Sequence, residues 1–319
     1  MITPLPNCHC LNRAPVDPMN NNIKTVLVTG SGGFIGRLLT KALLAEDVQL
    51  RCMVRKSAGP SDSTIETVRG DLLEPATLPA AMAGVDTVYY LVHAMAGGRA
   101  GFERRDREAA ENFVRAAEKA GVRRVIYLGG LGETGDDLSE HLKSRLEVAD
   151  ILRAGKFATT FLRAAIIIGA GGASFEMVKA LVERLPVMIT PRWVTTRCQP
   201  IAVEDVISYL VGCLKDERTT GGTFDIGGPD VLTYKDMMER FGRICGRSLY
   251  ILPVPVLTPR LSSYWVGLIS PVAPSVSMPL IEGLKNEVIC REHTIRTFIP
   301  LQLTSYDDAV RRSIAALKS

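Results

Sequence analysis

The chain has 319 residues, of which 46% are hydrophobic and 23% are charged, and its formal net charge is +4. This length is enough for one large domain, or for a main domain with a smaller lobe. Lysines and arginines are scattered along the sequence, so no basic stripe indicates a nucleic-acid partner. No window holds ~18 uninterrupted apolar residues, and no membrane span is predicted. The seven cysteines are an odd number and are dispersed, as is typical of reduced thiols in a cytoplasmic protein.

Residues 1–22 contain several prolines and asparagines and no long apolar core, so they do not indicate a secretory signal. We expect a disordered leader here, and Met19 is a second candidate for the start. The triplet Cys8-His9-Cys10 lies within this leader. No second pair of ligands at zinc-site spacing accompanies it, so we predict no metal site.

Short apolar runs alternate with helical patterns through the first half of the chain. This alternation predicts an α/β fold, in which helices cover both faces of a doubly wound parallel sheet. The predicted strands are residues 23–29, 48–54, 65–68, 85–92, 125–128 and 159–162, and the clearest helices are residues 102–120 and 138–154.

After residue 172 prolines become frequent and predicted strands become sparse. We predict a main domain over residues 23–170 and mostly a smaller C-terminal substrate lobe over residues 171–319, with some segments returning to the main domain. The helices expected in this half are residues 175–184, 203–215, 234–245 and 306–317.

Residues 250–284 are rich in apolar side chains, but six prolines, Arg260 and Glu282 interrupt them. This pattern is typical of a buried lobe with proline-broken helices. The alternative is a surface that rests on a membrane or on a protein partner.

Three glycines follow the first predicted strand and lead directly into a helical pattern. Gly30 allows the chain to turn tightly out of the strand, and Gly33 allows the backbone to approach a pyrophosphate. Gly36 allows the helix to lie close to the sheet. The N–H groups at the start of this helix attract phosphates. Strand, glycine turn and helix therefore predict a Rossmann-type dinucleotide-binding domain.

The segment from Thr29 to Gly36 resembles the opening of extended and atypical short-chain dehydrogenases/reductases (SDRs). The resemblance extends over roughly residues 23 to 315 and is greatest to the NmrA-like, NAD(P)-binding branch. Further segments that resemble the family, in the matching order, are Gly70-Asp71-Leu72 and residues 112–122, 200–206 and 224–229.

Arg55 closes the second predicted strand, where the family selects its cofactor. Its guanidinium suits the 2′-phosphate of NADP(H), whereas an acidic residue would bind the ribose of NAD(H). We therefore expect NADP(H) to be preferred, with Lys56 and Ser31 assisting; the alternative is a surface arginine. The resemblance implies further cofactor contacts at Gly30, Gly32, Gly33, Phe34, Ile35, Gly36, Asp71, Leu72, Leu91, Val92, His93, Leu128 and Gly129.

Two departures from the family pattern concern catalysis. Family members use a Ser or Thr after the fifth strand, and here the strand runs into Gly129-Gly130 instead. They also use a Tyr and a Lys on the next helix, and His141 and Arg145 fall on these positions. These two residues are one helical turn apart, on one face.

The sequence allows two roles for each of these residues. His141 can exchange a proton near neutral pH, because a free imidazole titrates near ~6.5. Arg145 can bind ribose hydroxyls or a phosphate, but it cannot release a proton. The alternative is that both are surface residues of a helix. We expect His93 to contact the cofactor or the substrate. The alternative is that its imidazole forms a hydrogen bond with a loop carbonyl. Further candidates for the substrate pocket are Met95, Gly130, Arg192 and Trp193.

Three functions are compatible with these observations. The first is an NADP(H)-dependent oxidoreductase that acts on a quinone, flavin or carbonyl-type small molecule. The second is a non-catalytic NADP(H)-binding sensor or scaffold with a regulatory protein partner, which the NmrA-like resemblance implies. The third is a nucleotide-sugar epimerase, which the missing tyrosine disfavours.

Overall fold

The computed structural model describes residues 24–55, 62–93, 101–131, 140–254, 272, 284 and 286–318. The expected leader and most of residues 250–284 lie outside this description. The described strands, in chain order, are β1 (Thr25–Thr29), β2 (Gln49–Val54), β3 (Glu66–Arg69), β4 (Thr87–Tyr90), β5 (Arg124–Gly130), β6 (Ala158–Ala164), β7 (Ile167–Ile168), β8 (Val187–Pro191), β9 (Arg197–Cys198), β10 (Ile201–Ala202), β11 (Thr223–Ile226), β12 (Leu232–Thr233) and β13 (Tyr250–Val254).

The described α-helices follow the amphipathic patterns of the sequence. Three short 3₁₀ turns, at Pro75–Thr77, Arg192–Thr195 and Glu217–Thr219, connect some of the elements. The helices are α1 (Phe34–Leu43), α2 (Leu78–Met82), α3 (Phe102–Ala120), α4 (Glu140–Arg153), α5 (Ala173–Arg184), α6 (Val203–Lys215), α7 (Tyr234–Ile244), α8 (Ile295–Phe298) and α9 (Tyr306–Ala316).

Seven strands form one parallel sheet in the order β11-β6-β5-β4-β1-β2-β3. The chain builds β1, β2 and β3 toward one edge and then returns across β1 to place β4 on its other side. The predicted Rossmann-type doubly wound sheet is therefore confirmed. The switch point between β1 and β4 opens a crevice at the carboxyl ends of the strands, which is where such sheets bind ligands.

Both faces of the central strands are buried, which explains why they are continuous apolar runs. All five residues of β1 are buried. Val26 and Val28 pack in the core layer beneath α1 and α6, whereas Leu27 packs in the opposite layer with α2, α3 and α4. Alternate residues of β1 therefore pack into the two core layers on opposite faces of the sheet.

A third core lies in the C-terminal half, where α5, α7 and α9 pack around Phe175, Phe241 and Tyr306. Three two-stranded sheets, β7–β10, β9–β12 and β8–β13, surround it. Strand β11 and helix α6 instead pack with the main sheet. The C-terminal half therefore contributes both a separate core and elements of the main sheet layer.

The ribbon of β8 and β13 presents apolar side chains to solvent. Val187 and Ile189 on β8 lie opposite Tyr250 and Leu252 on β13, and all four are exposed by 57% or more. Their neighbour Met188 is buried. In the described ranges, no helix is long and apolar enough to cross a membrane.

Candidate functional site

The glycine turn after β1 is shaped by close backbone contacts. Gly30 has a φ of +69°, and a Cβ atom added there would lie 2.8 Å from the carbonyl oxygen of Leu91. Any other residue at this position would be strained in both respects. The N–H of Gly33 donates to the Gly30 carbonyl at 2.9 Å, which closes the turn.

Helix α1 approaches this turn more closely than a side chain permits. A Cβ atom at Gly36 would lie 2.2 Å from the Gly30 carbonyl oxygen and 2.8 Å from the Cα of Ser31. At Gly32, by contrast, an added Cβ meets no atom within 4 Å. The glycine at position 36 is therefore required by packing within the protein itself.

We expect the Gly36→Ala substitution to destabilise the protein by about 1–3 kcal/mol, because the new methyl group forces α1 away from the turn. NADPH binding should weaken with it. Denaturant unfolding and a cofactor titration measure the two effects. Gly32→Ala is the matched control for stability and should unfold like the wild type. Equal stability of the two variants would contradict the close contact.

The N-terminus of α1 is suited to an anion. Its N-cap, Gly33, is extended and makes no side-chain cap, and no acidic residue lies in the first turn. Gly32 and Gly33 are exposed. The free N–H groups and the positive end of the helix dipole therefore face an open space, and these features fit a pyrophosphate.

The end of β2 brings a cationic side chain beside the glycine turn. Arg55 follows the strand, is exposed, and has no ion pair among the described residues. Ser31 is 3% exposed, and its hydroxyl donates to the carbonyl of Met53 at 3.2 Å, so this hydroxyl is engaged by β2. Arg37, which sequence reasoning missed because it looks like an ordinary helix-surface charge, donates to the Gly32 carbonyl at 2.9 Å.

The segment after β3 is held by local hydrogen bonds. Asp71 accepts from the N–H of Leu73 at 2.9 Å, and its own N–H donates to Thr77 at 3.0 Å. The side chain of Leu72 is buried in the core. The Leu72 carbonyl accepts from the Asn112 side chain on α3 at 2.7 Å. A cofactor contact at Leu72 would therefore involve its backbone.

The end of β4 lies against the glycine turn. The hydroxyl of Thr29 donates to the Tyr89 carbonyl at 2.9 Å and accepts from the N–H of Leu91 at 3.2 Å. Two residues farther on, His93 is half-buried, and its ring lies 6.0 Å from the ring of Tyr127. Val92, which stands between Leu91 and His93 in the sequence, is also half-buried.

Helix α4 is fixed to α3 by polar contacts on either side of Arg145. Ser144 donates to Asp106 at 3.3 Å, and Glu147 forms an ion pair with Arg107. Arg145 lies between these two residues and faces a cavity. Two of the predicted site residues, Lys56 and Met95, lie outside the described residues. For His141 and Arg192 the structure describes the helical backbone but not the side chain.

This cavity has a volume of about 330 Å³ and lies where the main sheet meets the C-terminal half. Gly129 and Gly130 of β5, together with Leu128, form part of its wall. His93, Arg145 and Trp193 are polar members of its lining, so it brings together predicted cofactor and substrate residues. Its apolar walls include Phe34, Ile35, Leu131, Met177, Met237 and Met238.

A second groove, of about 570 Å³, lies along α7 and α9. Its central arginine, Arg240, contacts Asp307 at 2.7 Å and Asp230 at 3.1 Å. Arg311 is likewise paired, with Asp308 at 2.8 Å. These charges neutralise one another, and the groove is far less suited to an apolar substrate than the 330 Å³ cavity.

The described cysteines are unsuited to thiolate chemistry. Burial raises the pKa of Cys198 to about 12 and that of Cys213 to about 11. It also raises the pKa of Cys290 to about 12. These thiols therefore stay protonated near neutral pH. Within the described part of the chain, no group of three or more His, Cys, Asp or Glu side chains is placed to hold a metal ion.

Comparison with known proteins places this geometry among nucleotide-binding folds. Residues 30–177 match a family model described as NAD(P)H-binding. The chain is 24% identical, over 269 residues, to the chloroplastic divinyl chlorophyllide a 8-vinyl-reductase of Arabidopsis thaliana. This match covers 78% of the chain and 63% of the plant protein, so the chain spans less than two thirds of that relative.

Two solved structures share the fold. Triphenylmethane reductase from Citrobacter sp., complexed with NADP(H), is 19% identical with a TM-score of 0.74, covering 91% of this chain and 100% of that one. The NADPH-dependent quinone oxidoreductase QOR2 of Escherichia coli, complexed with NADPH, is 17% identical with a TM-score of 0.73, covering 90% and 99%.

The strand order, the glycine turn and the family match agree with one another. The chain contains an NAD(P)H-binding domain, and its relatives include reductases. The match over residues 30–177 agrees with the resemblance to NAD(P)-binding SDR proteins that the sequence indicates.

Proposed function

We propose that the protein is an NADP(H)-dependent reductase whose acceptor is a quinone, flavin or carbonyl-type compound. The observation that carries this proposal is the apolar cavity, which adjoins the N-terminus of α1 and the ends of β4 and β5. A cofactor on the glycine turn would extend along this edge of the sheet. An apolar acceptor would then lie beside its nicotinamide.

The cofactor supplies a hydride, and the protein residues hold it in place. The free N–H groups of α1 bind the pyrophosphate, while Arg55 binds the 2′-phosphate, with Lys56 beside it in the sequence. NADP(H) is therefore preferred over NAD(H). The remaining contacts of the proposed cofactor site are Gly30, Ser31, Gly32, Gly33, Phe34, Ile35, Gly36, Asp71, Leu72, Leu91, Val92, His93, Leu128 and Gly129.

The catalytic residues of this proposal differ from those of ordinary SDR enzymes. Gly130, at the end of β5, supplies no hydroxyl. His141 takes the position of the family tyrosine and gives a proton to the reduced acceptor, or water does so. Arg145, on the same helix, lines the cavity. The substrate region also includes Trp193, with Met95 and Arg192 as further candidates.

We expect little or no oxidation of simple secondary alcohols with NADP. Ordinary members use a Ser, a Tyr and a Lys for this reaction, and here Gly130, His141 and Arg145 stand at the matching positions. A steady-state assay with secondary alcohols and NADP measures it. Robust alcohol oxidation would mean that the site has been misplaced.

The reductase proposal is tested by following NADPH oxidation with a panel of quinones, flavins and conjugated carbonyl compounds. At least one class should be reduced with saturation, and Gly36→Ala should lose this activity. If no acceptor in the panel accelerates NADPH oxidation while NADPH still binds, the reductase proposal fails.

A non-catalytic NADP(H) sensor or scaffold is the second candidate. The loss of both the hydroxyl at Gly130 and the tyrosine at position 141 favours it. In that case NADPH binding would alter the capture of a protein partner without any turnover. Epimerisation of a nucleotide sugar is a weaker third candidate, because it also depends on the missing tyrosine.

A cytoplasmic location forms part of the proposal. The described cysteines, which are Cys52, Cys198, Cys213, Cys245 and Cys290, are all free thiols. Free thiols are typical of a reducing compartment.

A further inference from the structure

Two residues that line the apolar cavity each carry a buried N–H donor with no partner in the part of the chain that the structure describes. These donors are the Nε atom of Arg145 on α4 and the indole Nε1 of Trp193. The two residues come from opposite halves of the chain, and both line the same cavity. Unpartnered buried donors are uncommon in folded proteins, and each one calls for an explanation.

Among the described residues, no acidic side chain lines the cavity to balance the charge of Arg145. Two described acidic side chains of α4 are engaged elsewhere: Glu147 pairs with Arg107, and Asp150 pairs with Arg153 at 2.7 Å. A guanidinium stays charged at all ordinary pH values, and burying it beside apolar walls without an anion is unfavourable.

The orientation of Arg145 is imposed by its neighbours on α4. Ser144 is buried and bonded to Asp106 of α3, and Val148 and Leu152 are buried in the sheet core. These contacts fix the rotation of the helix about its axis. Arg145 is thereby held at the cavity, although no acidic side chain of the described lining attracts its guanidinium there.

We propose that the cavity binds a planar, largely apolar acceptor that carries a carboxylate, with Arg145 and Trp193 donating to its oxygens. This inference rests on the reductase proposal and names the substrate class of that site. A charge-assisted bond to carboxylate is among the strongest that an arginine forms. The methionines Met177, Met237 and Met238 line the cavity and adapt to flat rings. A volume of about 330 Å³ suits a ligand of two fused rings.

Arg145 was expected from the sequence to bind the ribose or a phosphate of the cofactor. The two roles make different predictions for one variant. If Arg145 binds the acceptor, its removal leaves cofactor affinity intact. If Arg145 binds the cofactor, its removal lowers the affinity for NADPH and leaves the preference for a carboxylate over its neutral amide unchanged. The test measures ligand binding and not turnover, so its result can be interpreted even if the reductase proposal fails.

The experiment titrates β-naphthoate and its neutral amide, β-naphthamide, into the NADP-bound protein by calorimetry. We expect the wild type to prefer the carboxylate, and Arg145→Gln to lose this preference, weakening naphthoate binding about ten- to a hundredfold. Trp193→Phe should weaken both ligands by roughly two- to tenfold. Lys143→Gln, which removes an exposed charge from the same helix, is the matched control and should bind like the wild type.

A thermal melt of the ligand-free variants completes the test. Arg145→Gln should melt no lower than the wild type, because it removes a half-buried charge that no acidic side chain of the described lining balances. A clearly lower melting temperature would indicate a structural role and would overturn the inference. So would a wild type that binds neither ligand, a wild type without preference for the carboxylate, or an Arg145→Gln protein that loses NADPH affinity.

Discussion

The His141→Phe protein is expected to bind NADPH nearly as tightly as the wild type but to reduce its acceptor about 10²–10⁴-fold more slowly, the usual loss for a positioned proton donor. His141 lies on α4, one turn before Arg145, which lines the cavity. The ordinary pKa of an imidazole lies near neutral pH, which suits the proposed role of proton donor. Phenylalanine keeps an aromatic ring of similar size and removes only the proton chemistry.

Two measurements separate this effect from damage to the site. A cofactor titration of the His141→Phe protein should give an affinity close to that of the wild type, and steady-state assays give its turnover. Lys143→Gln, on the same helix and exposed, should keep full turnover. If the His141→Phe protein reduces every active acceptor at the wild-type rate, water supplies the proton and His141 has no catalytic role.

The Arg55→Asp protein is expected to lose its preference for NADPH over NADH. A guanidinium bond to the 2′-phosphate is worth about 1.5–3 kcal/mol, which is roughly ten- to a hundredfold in affinity. The new carboxylate also repels the phosphate and can accept from the ribose hydroxyls of NADH. Arg55 has no ion pair among the described residues, so its substitution breaks no ion pair in that part of the chain.

Titrations of both cofactors into the wild type and the variant measure this preference. Lys41→Asp makes the same change in net charge at the last turn of α1, away from the glycine turn, and should leave the preference unchanged. Equal affinity of the wild-type protein for NADPH and NADH would remove Arg55 from the cofactor site.

The main sheet could be predicted from the sequence because its strands are buried on both faces and so form unbroken apolar runs. The residue bounds agree closely for several helices. Residues 102–120 and 203–215 were predicted with the limits that the structure gives. Strand ends agree less well: the fifth strand was predicted over residues 125–128 and spans Arg124–Gly130. Gly129 and Gly130, at the end of this strand, lack the apolar side chains by which a buried strand is predicted.

The position of β11 at the sheet edge could not be read from local pattern. It has four residues, and it pairs with β6 about 60 residues earlier in the chain. A partly buried ion pair between Arg163 and Asp225 joins these two strands at 2.6 Å. Only the tertiary structure brings the two partners together.

The apolar walls of the cavity were also missed. Met177 on α5 and Met237 and Met238 on α7 lie on buried faces of amphipathic helices. A methionine that lines a cavity and one that fills a core give the same periodic pattern. The sequence offers Arg145 and Trp193 as candidates, but it could not reveal that both line one cavity and carry unpartnered donors among the described residues.

The central claim is that the bound cofactor delivers a hydride to an acceptor in the cavity. The most direct measurement mixes the preformed protein–NADPH complex with an acceptor in a single turnover and follows the nicotinamide absorbance, using NADPH with hydrogen or deuterium at the transferred position. We expect a decay that saturates with acceptor and is slower with deuterium. A complex that forms stoichiometrically and then decays no faster than free NADPH, with no isotope effect, would contradict the claim.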